Sequence, residues 1–224
     1  MTATAAKRRP GFRRSDRMDV SSIGAWPVRE RGELSKRAGF AVEEIMTNPR
    51  TVIVLAMHGV PPSDFPRQEL GEFFALHARF EHAAVDESPG HARYEELEER
   101  LRGWPRTPEN DPYHAASLEL ARELSRAASC EVEVGFNEFC SPGLDDALDR
   151  AVGSGAERVV VVTPMMTPGG EHSEKDIPEA VERARAHHPG VEFTYAWPFP
   201  VTDVAGFLAA QVARCLGGRL PGRA

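Results

Sequence analysis

The chain has 224 residues, of which 41% are hydrophobic and 27% charged, and its formal net charge is −7. This composition is typical of a globular protein, and no apolar run approaches the roughly 20 residues that a membrane-spanning helix needs. Residues 1–47 carry a balance of +4, whereas the remainder carries −11. Because phosphate neutralisation needs a basic face, the acidic remainder predicts no nucleic-acid partner.

Residues 1–47 are predicted to be a basic, disordered tail, because KRRPGFRRSDR at 7–17 has no hydrophobic period. This basic segment lacks the apolar stretch of a secretory signal. The whole chain has three cysteines, Cys130, Cys140 and Cys215. They form no CxxC pair, which argues against a disulfide framework or a thiolate zinc site. Together these features predict a cytoplasmic protein.

Buried strand patterns alternate with helical patterns after the tail. TVIVLAM at 51–57 and RVVVVTP at 158–164 are continuous apolar runs of the kind found in strands covered on both faces. Two further strands are predicted at about 131–138 and 191–196, and helices at about 67–80, 93–104, 113–128, 144–152, 174–187 and 204–216. The alternation predicts an α/β fold with a four-stranded, mainly parallel sheet and helices on both faces.

The predicted domain covers 48–216 and is followed by a flexible C-terminus at 217–224. The connection from the first strand to the second is long. It is predicted to contain a helical insert, at about 81–115, that lies near the ligand cleft and serves as a lid or a dimer contact. Ser173 is predicted to cap the helix that begins at Glu174, with Asp176 completing a capping box.

Candidate ligands follow the carboxyl ends of three predicted strands, where open parallel sheets bind their ligands. His58 and Gly59 end the first strand, Glu138 ends the second, and the loop after the third leads to His172. Two imidazoles and a carboxylate suit a divalent ion such as Fe²⁺, Co²⁺, Ni²⁺ or Zn²⁺. The same groups accept protons near neutral pH, so metal binding and proton transfer are both expected of His58, Glu138 and His172.

A second set of residues in the same loops is predicted to contact the ligand. Gly59, Gly169 and Gly170 allow the backbone to approach a flat, bulky molecule closely. Met165 and Met166 offer it an adaptable apolar surface, although methionines at such positions also serve in cores.

The stretch from Glu131 to Trp197 resembles the sirohydrochlorin chelatases of the CbiX/SirB type, relatives of the anaerobic cobaltochelatases. The matching features are the strand-final Pro164, the Gly-Gly-Glu-His loop at 169–172, Asp176-Ile177-Pro178 at the helix start, and HHPGVEF at 187–193. AMHG at 56–59 is similar to the family's opening strand, but His58-Gly59 then continues into Val60 where members usually have Ser-Arg.

The resemblance implies a class II chelatase-like, three-layer fold that inserts Co²⁺, Fe²⁺ or Ni²⁺ into a sirohydrochlorin-like tetrapyrrole without a nucleotide. It implies that His58 and His172 bind the metal and accept protons, with Glu138 as the third participant. Because small members are half-units that dimerise, it also implies a homodimer.

Two other functions compete with this interpretation. A tetrapyrrole or metal carrier would keep the ligands without turnover, and formation of a metallated product separates it from an enzyme. An α/β-hydrolase needs a G-x-S-x-G turn after a strand, whereas Gly153-Ser154-Gly155 lacks that spacing and follows a predicted helix.

Overall fold

The computed structural model describes residues 50–80 and 88–217. The predicted tail at 1–47, almost all of the predicted flexible C-terminus at 217–224, and residues 81–87 of the insert lie outside the described residues. Within the described ranges, no helix combines the length and the apolar character needed to span a bilayer.

Four strands form one sheet, and all three pairings between neighbours are parallel. The sheet order is β2-β1-β3-β4, with β1 at Thr51–Met57, β2 at Glu131–Phe136, β3 at Arg158–Val162 and β4 at Glu192–Tyr195. Met57 is level with Phe136, and Leu55 is level with Val162, so the three longest strands end near one line. The predicted four-stranded α/β fold is confirmed, and the sheet is wholly rather than mainly parallel.

The described residues also form six α-helices: α1 at Arg67–Phe80, α2 at Pro89–Arg102, α3 at Pro112–Ala128, α4 at Leu144–Gly153, α5 at Ile177–His187 and α6 at Val201–Cys215. Alternate residues of β1 point to opposite faces. Val52, Val54 and Ala56 pack into a core with residues of α4 and α5. Leu55 and Met57 pack with residues of β2 and with α3 on the other face. Helices therefore cover both faces, as predicted.

The helices α1 and α2 form their own core with the loop after β1. Phe65, Phe73, Phe80, Tyr94, Leu97 and Leu101 are all buried there. Trp104 and Phe139 pack against this cluster, and Phe139 lies only three residues beyond the end of β2. The α1–α2 pair therefore lies at the carboxyl edge of the sheet, beside the loops that carry the predicted ligands.

Candidate metal centre

His58 directly follows β1 and is held mainly through its backbone. Its carbonyl oxygen accepts a hydrogen bond from Glu138 N at 2.9 Å, and its N–H donates to the Tyr113 hydroxyl at 3.3 Å. The ring atom Nδ1 lies 2.7 Å from the carbonyl oxygen of Gly59, which can only accept. This bond assigns the hydrogen to Nδ1 and leaves the lone pair on Nε2.

Glu138 reaches the site because the pairing of β1 and β2 continues beyond the ends of both strands. Asn137 N donates to Met57 O, and Glu138 N donates to His58 O, both at 2.9 Å. Gly59 allows this approach: its φ is +102°, and a Cβ on it would stand 1.9 Å from Glu138 O. The backbone role of Gly59 is therefore to bring two loops together, and its contact with a substrate stays a prediction.

His172 is the first residue of a π-helical turn, His172–Asp176, that leads into α5. Four residues later on this turn, Asp176 Oδ2 lies 2.6 Å from His172 Nδ1. The carboxylate accepts the Nδ1 hydrogen and thereby directs the Nε2 lone pair toward the site, as carboxylates behind metal-binding histidines do. His172 Nε2 in turn faces Glu138 Oε1 at 3.7 Å.

The predicted capping box at Ser173 and Asp176 is wrong. Residues 171, 176 and 177 all have right-handed helical backbone angles, so the chain is already helical where a cap would require an extended residue. The buried Ser173 hydroxyl donates instead to Gly170 O at 3.0 Å, and Asp176 binds His172. The helical phase at positions i and i+4 was a signal for this second contact.

Tyr195, at the end of β4, stabilises the π-helical turn, because its hydroxyl donates a hydrogen bond to Ser173 O at 3.0 Å. Burial, with a smaller contribution from the charge of Glu174, raises the pKa of Tyr195 to about 12. The phenol therefore remains a hydrogen-bond donor at every pH at which the protein would be assayed.

The side chains of His58, Glu138 and His172 converge on one point, with one ligand atom from each lying within 4.8 Å of the others. The two imidazole rings are perpendicular, with centroids 4.6 Å apart. His58 Nδ1 lies 3.8 Å from Glu138 Oε2, so both separations from the carboxylate exceed hydrogen-bond length. Two ligands that each lie about 2.1 Å from one ion at a tetrahedral angle are roughly 3.4 Å apart. This is close to the 3.7 Å between His172 Nε2 and Glu138 Oε1, the two atoms of this pair that are free to bind an ion.

The site opens to solvent on the His58 side. The His58 side chain is 44% exposed, whereas those of Glu138 and His172 are 17% and 18% exposed. A metal ion held by these three side chains would have coordination positions free on the open flank for an exchangeable partner. Within the described ranges, no other group of three such side chains comes this close together.

Four other residues were predicted to contact the ligand: Met165, Met166, Gly169 and Gly170. Met165 is half-buried and packs against the core beneath α4 and α5, and Met166 is also half-buried. Gly169 and Gly170 are exposed; Gly169 has φ +94°, and its N–H donates to Glu174 Oε1 at 2.9 Å. The substrate contacts of these four residues stay predictions.

The sequence model of the CbiX family matches residues 109–213, a range that contains Glu138, His172 and Asp176 but not His58. A sirohydrochlorin cobaltochelatase of Saccharolobus solfataricus is 41% identical over 95 residues, which cover 40% of this chain and 73% of that protein. The chain belongs to the CbiX family. The family-model match begins within the insert, 51 residues after His58.

Two further proteins are matched over smaller shares of their length. A sirohydrochlorin cobaltochelatase of Priestia megaterium is 40% identical over 35% of this chain and 25% of that protein. The chain thus spans about a quarter of this longer relative. The solved SirB of Bacillus subtilis subspecies spizizenii, in complex with cobalt, is 18% identical over 66% of this chain and 43% of that one, with a TM-score of 0.34, too low to support an argument.

Proposed function

We propose that this chain inserts a divalent metal ion, Co²⁺, Fe²⁺ or Ni²⁺, into a sirohydrochlorin-like tetrapyrrole without a nucleotide. The observation that carries the proposal is the convergence of His58, Glu138 and His172 at the open edge of the sheet. The names of its relatives support the same reaction, because they include sirohydrochlorin cobaltochelatases and a sirohydrochlorin ferrochelatase.

The reaction requires both roles of the three side chains. The metal ion enters as two pyrrole N–H protons leave, so the macrocycle exchanges two positive charges for two. His58 and His172 present the lone pairs of their Nε2 atoms, which bind the incoming ion and release it to the macrocycle. Glu138 stands between them and accepts a proton as the ion departs, after which the freed imidazoles accept the second.

An anaerobic assay with sirohydrochlorin and each of Co²⁺, Fe²⁺ and Ni²⁺, followed by absorption spectra, tests this proposal. His58→Ala and His172→Ala should each abolish insertion, because loss of a positioned base alone costs about 10²- to 10⁴-fold and here a metal ligand is lost as well. Glu138→Gln keeps the shape and should reduce turnover less. Circular dichroism checks that each variant folds.

Wild-type turnover in either histidine variant would contradict the mechanism. If the wild-type protein binds sirohydrochlorin tightly but yields no metallated product with any of the three ions, the protein is a carrier. Unfolding of both histidine variants would make the imidazoles structural rather than catalytic.

We further propose that the chain acts as a homodimer in the cytoplasm. None of the residues of α6 is buried, and Val201, Phe207, Leu208 and Val212 on this helix are each about half exposed or more. A helix this apolar needs a covering surface, which a second copy would supply. All three cysteines are free thiols, which fits a reducing compartment.

A further inference from the structure

Arg106, in the connection between α2 and α3, is buried, with its side chain 6% exposed. Its Nη1 donates to Val60 O at 2.7 Å and to Asp111 Oδ2 at 2.6 Å, while its Nη2 donates to Leu101 O and to Phe139 O. Asp111 is 1% exposed and also caps α3 by accepting from His114 N. The Nε of Arg106 donates to Trp104 O at 3.2 Å. All five N–H groups of this buried guanidinium thus have acceptors, so the ion pair fixes the loops that it touches.

Arg102, at the last turn of α2, makes the complementary contacts on the same loop. Its Nη2 donates to Asn137 O at 3.1 Å and its Nη1 to Cys140 O at 3.3 Å. Its Nε donates to Glu98 Oε1 one turn earlier, which orients the guanidinium. Arg102 and Arg106 therefore bind the carbonyl groups of three of the four residues from 137 to 140.

Glu138 is the remaining residue of those four. Its backbone is bracketed by Asn137 and Phe139, whose carbonyl groups accept from Arg102 and Arg106 respectively. Phe139 has φ +57°, a left-handed conformation that is unfavourable for a bulky side chain and persists only where surrounding contacts enforce it. The same Arg106 also binds Val60, two residues after His58.

We propose that Arg102 and Arg106 are positioning residues of the metal centre: together they hold the Glu138 loop in its left-handed turn and set the distance of its carboxylate from His58 and His172. This inference rests on the proposed function only in taking the three side chains as metal ligands. It assigns a role to the insert, because the segment from α2 to the start of α3 supplies both arginines. Neither arginine is proposed to touch the metal or the macrocycle.

The planar guanidinium is needed because each arginine binds several carbonyl groups at once in fixed directions. A lysine at either position keeps the charge but cannot span two carbonyl groups that diverge from one another. Arg→Lys therefore removes the positioning while preserving the electrostatic field at Glu138, and it separates the two effects.

The experiment measures Co²⁺ binding through its visible absorption bands in wild type, Arg102→Lys, Arg106→Lys and the control Arg93→Lys. Arg93 lies on the same helix as Arg102 and also makes a two-pronged contact, but with the exposed Glu72. Both site variants should bind Co²⁺ about 10- to 100-fold more weakly, the usual effect of losing a contact behind a metal ligand. The control should bind Co²⁺ as wild type does.

A double-variant comparison then shows whether the arginines act through Glu138. In a Glu138→Gln background, Arg102→Lys should weaken Co²⁺ binding far less than it does alone, because coupled residues are not additive. Equal weakening in both backgrounds, or wild-type affinity in Arg102→Lys, would overturn the proposal. Arg102, whose side chain is 27% exposed, decides the question even if Arg106→Lys fails to fold.

Turnover with sirohydrochlorin, measured on the same samples, keeps the two proposals apart. Wild-type protein that binds Co²⁺ but forms no metallated product would contradict the chelatase function and leave the positioning role supported by the Co²⁺ affinities. If the wild-type protein forms metallated product and the site variants bind Co²⁺ with wild-type affinity, the chelatase function is supported and the positioning role is contradicted.

Discussion

Asp176→Asn is the substitution that isolates the carboxylate behind His172. Asp176 Oδ2 is 2.6 Å from His172 Nδ1, and the Asp176 side chain is 35% exposed. Asparagine keeps the size and one acceptor oxygen but loses the negative charge. We expect the variant to fold normally and to bind Co²⁺ more weakly, because the charge stabilises a cation on the far side of the imidazole ring.

The size of the loss follows from the geometry. The ring places the carboxylate roughly 6 Å from an ion on Nε2, where one unit charge attracts a divalent ion by about 1.4 kcal/mol at the dielectric constant of water and about 5.5 kcal/mol at an effective value of 20. Since Asp176 is one-third exposed, the lower part of this range applies. A decrease in affinity of about 10- to 100-fold is therefore expected.

The assay is a Co²⁺ titration followed by absorption, with Glu179→Gln as the matched control. Glu179 lies on the first turn of α5 and is exposed, so this variant removes the same formal charge without touching His172. Wild-type affinity in Asp176→Asn, or an equal decrease in Glu179→Gln, would refute the argument that the contact with the ring, rather than the net charge, matters.

Three further results are expected. Gly59→Ala should lower the free energy of unfolding, measured in urea, by at least about 2 kcal/mol, because the added Cβ would meet Glu138 O at 1.9 Å and the φ of this residue is +102°. Gly71→Ala should raise it by about 0.5–1 kcal/mol, because a Cβ on this residue of α1 would have no atom within 4 Å. Burial lowers the pKa of His114 from its ordinary value of 6.5. The unfolded chain therefore gains the proton first as the pH drops below about 6.5, and the free energy of unfolding should fall. In His114→Gln, the free energy of unfolding should fall less over the same pH range. Phe207→Glu, at a side chain 56% exposed on α6, should shift sedimentation equilibrium toward the monomer if that helix forms the dimer contact.

Local sequence patterns were sufficient for the sheet and for the convergence of the three candidate ligands at one of its edges. The β-branched runs at 51–57 and 158–162 have no polar face to expose, so they can only be strands covered on both sides. Parallel strands end at a common edge, which brings His58, Glu138 and His172 together without knowledge of any contact. The resemblance to the chelatases rested mainly on the loops and the helix start that follow these strands, and it led to the same residues.

Contacts between segments distant in sequence were decided only by the tertiary structure. The sequence predicted a capping box for Asp176, whereas the π-helical turn places its carboxylate against His172. The sequence analysis assigned no role to Arg102 or Arg106, because the carbonyl groups that they bind lie 33 to 38 residues further along the chain and only folding brings them into contact. Periodicity reports which side of an element is buried, but it carries no information on which distant backbone atoms a side chain will meet; that depends on packing of the whole chain.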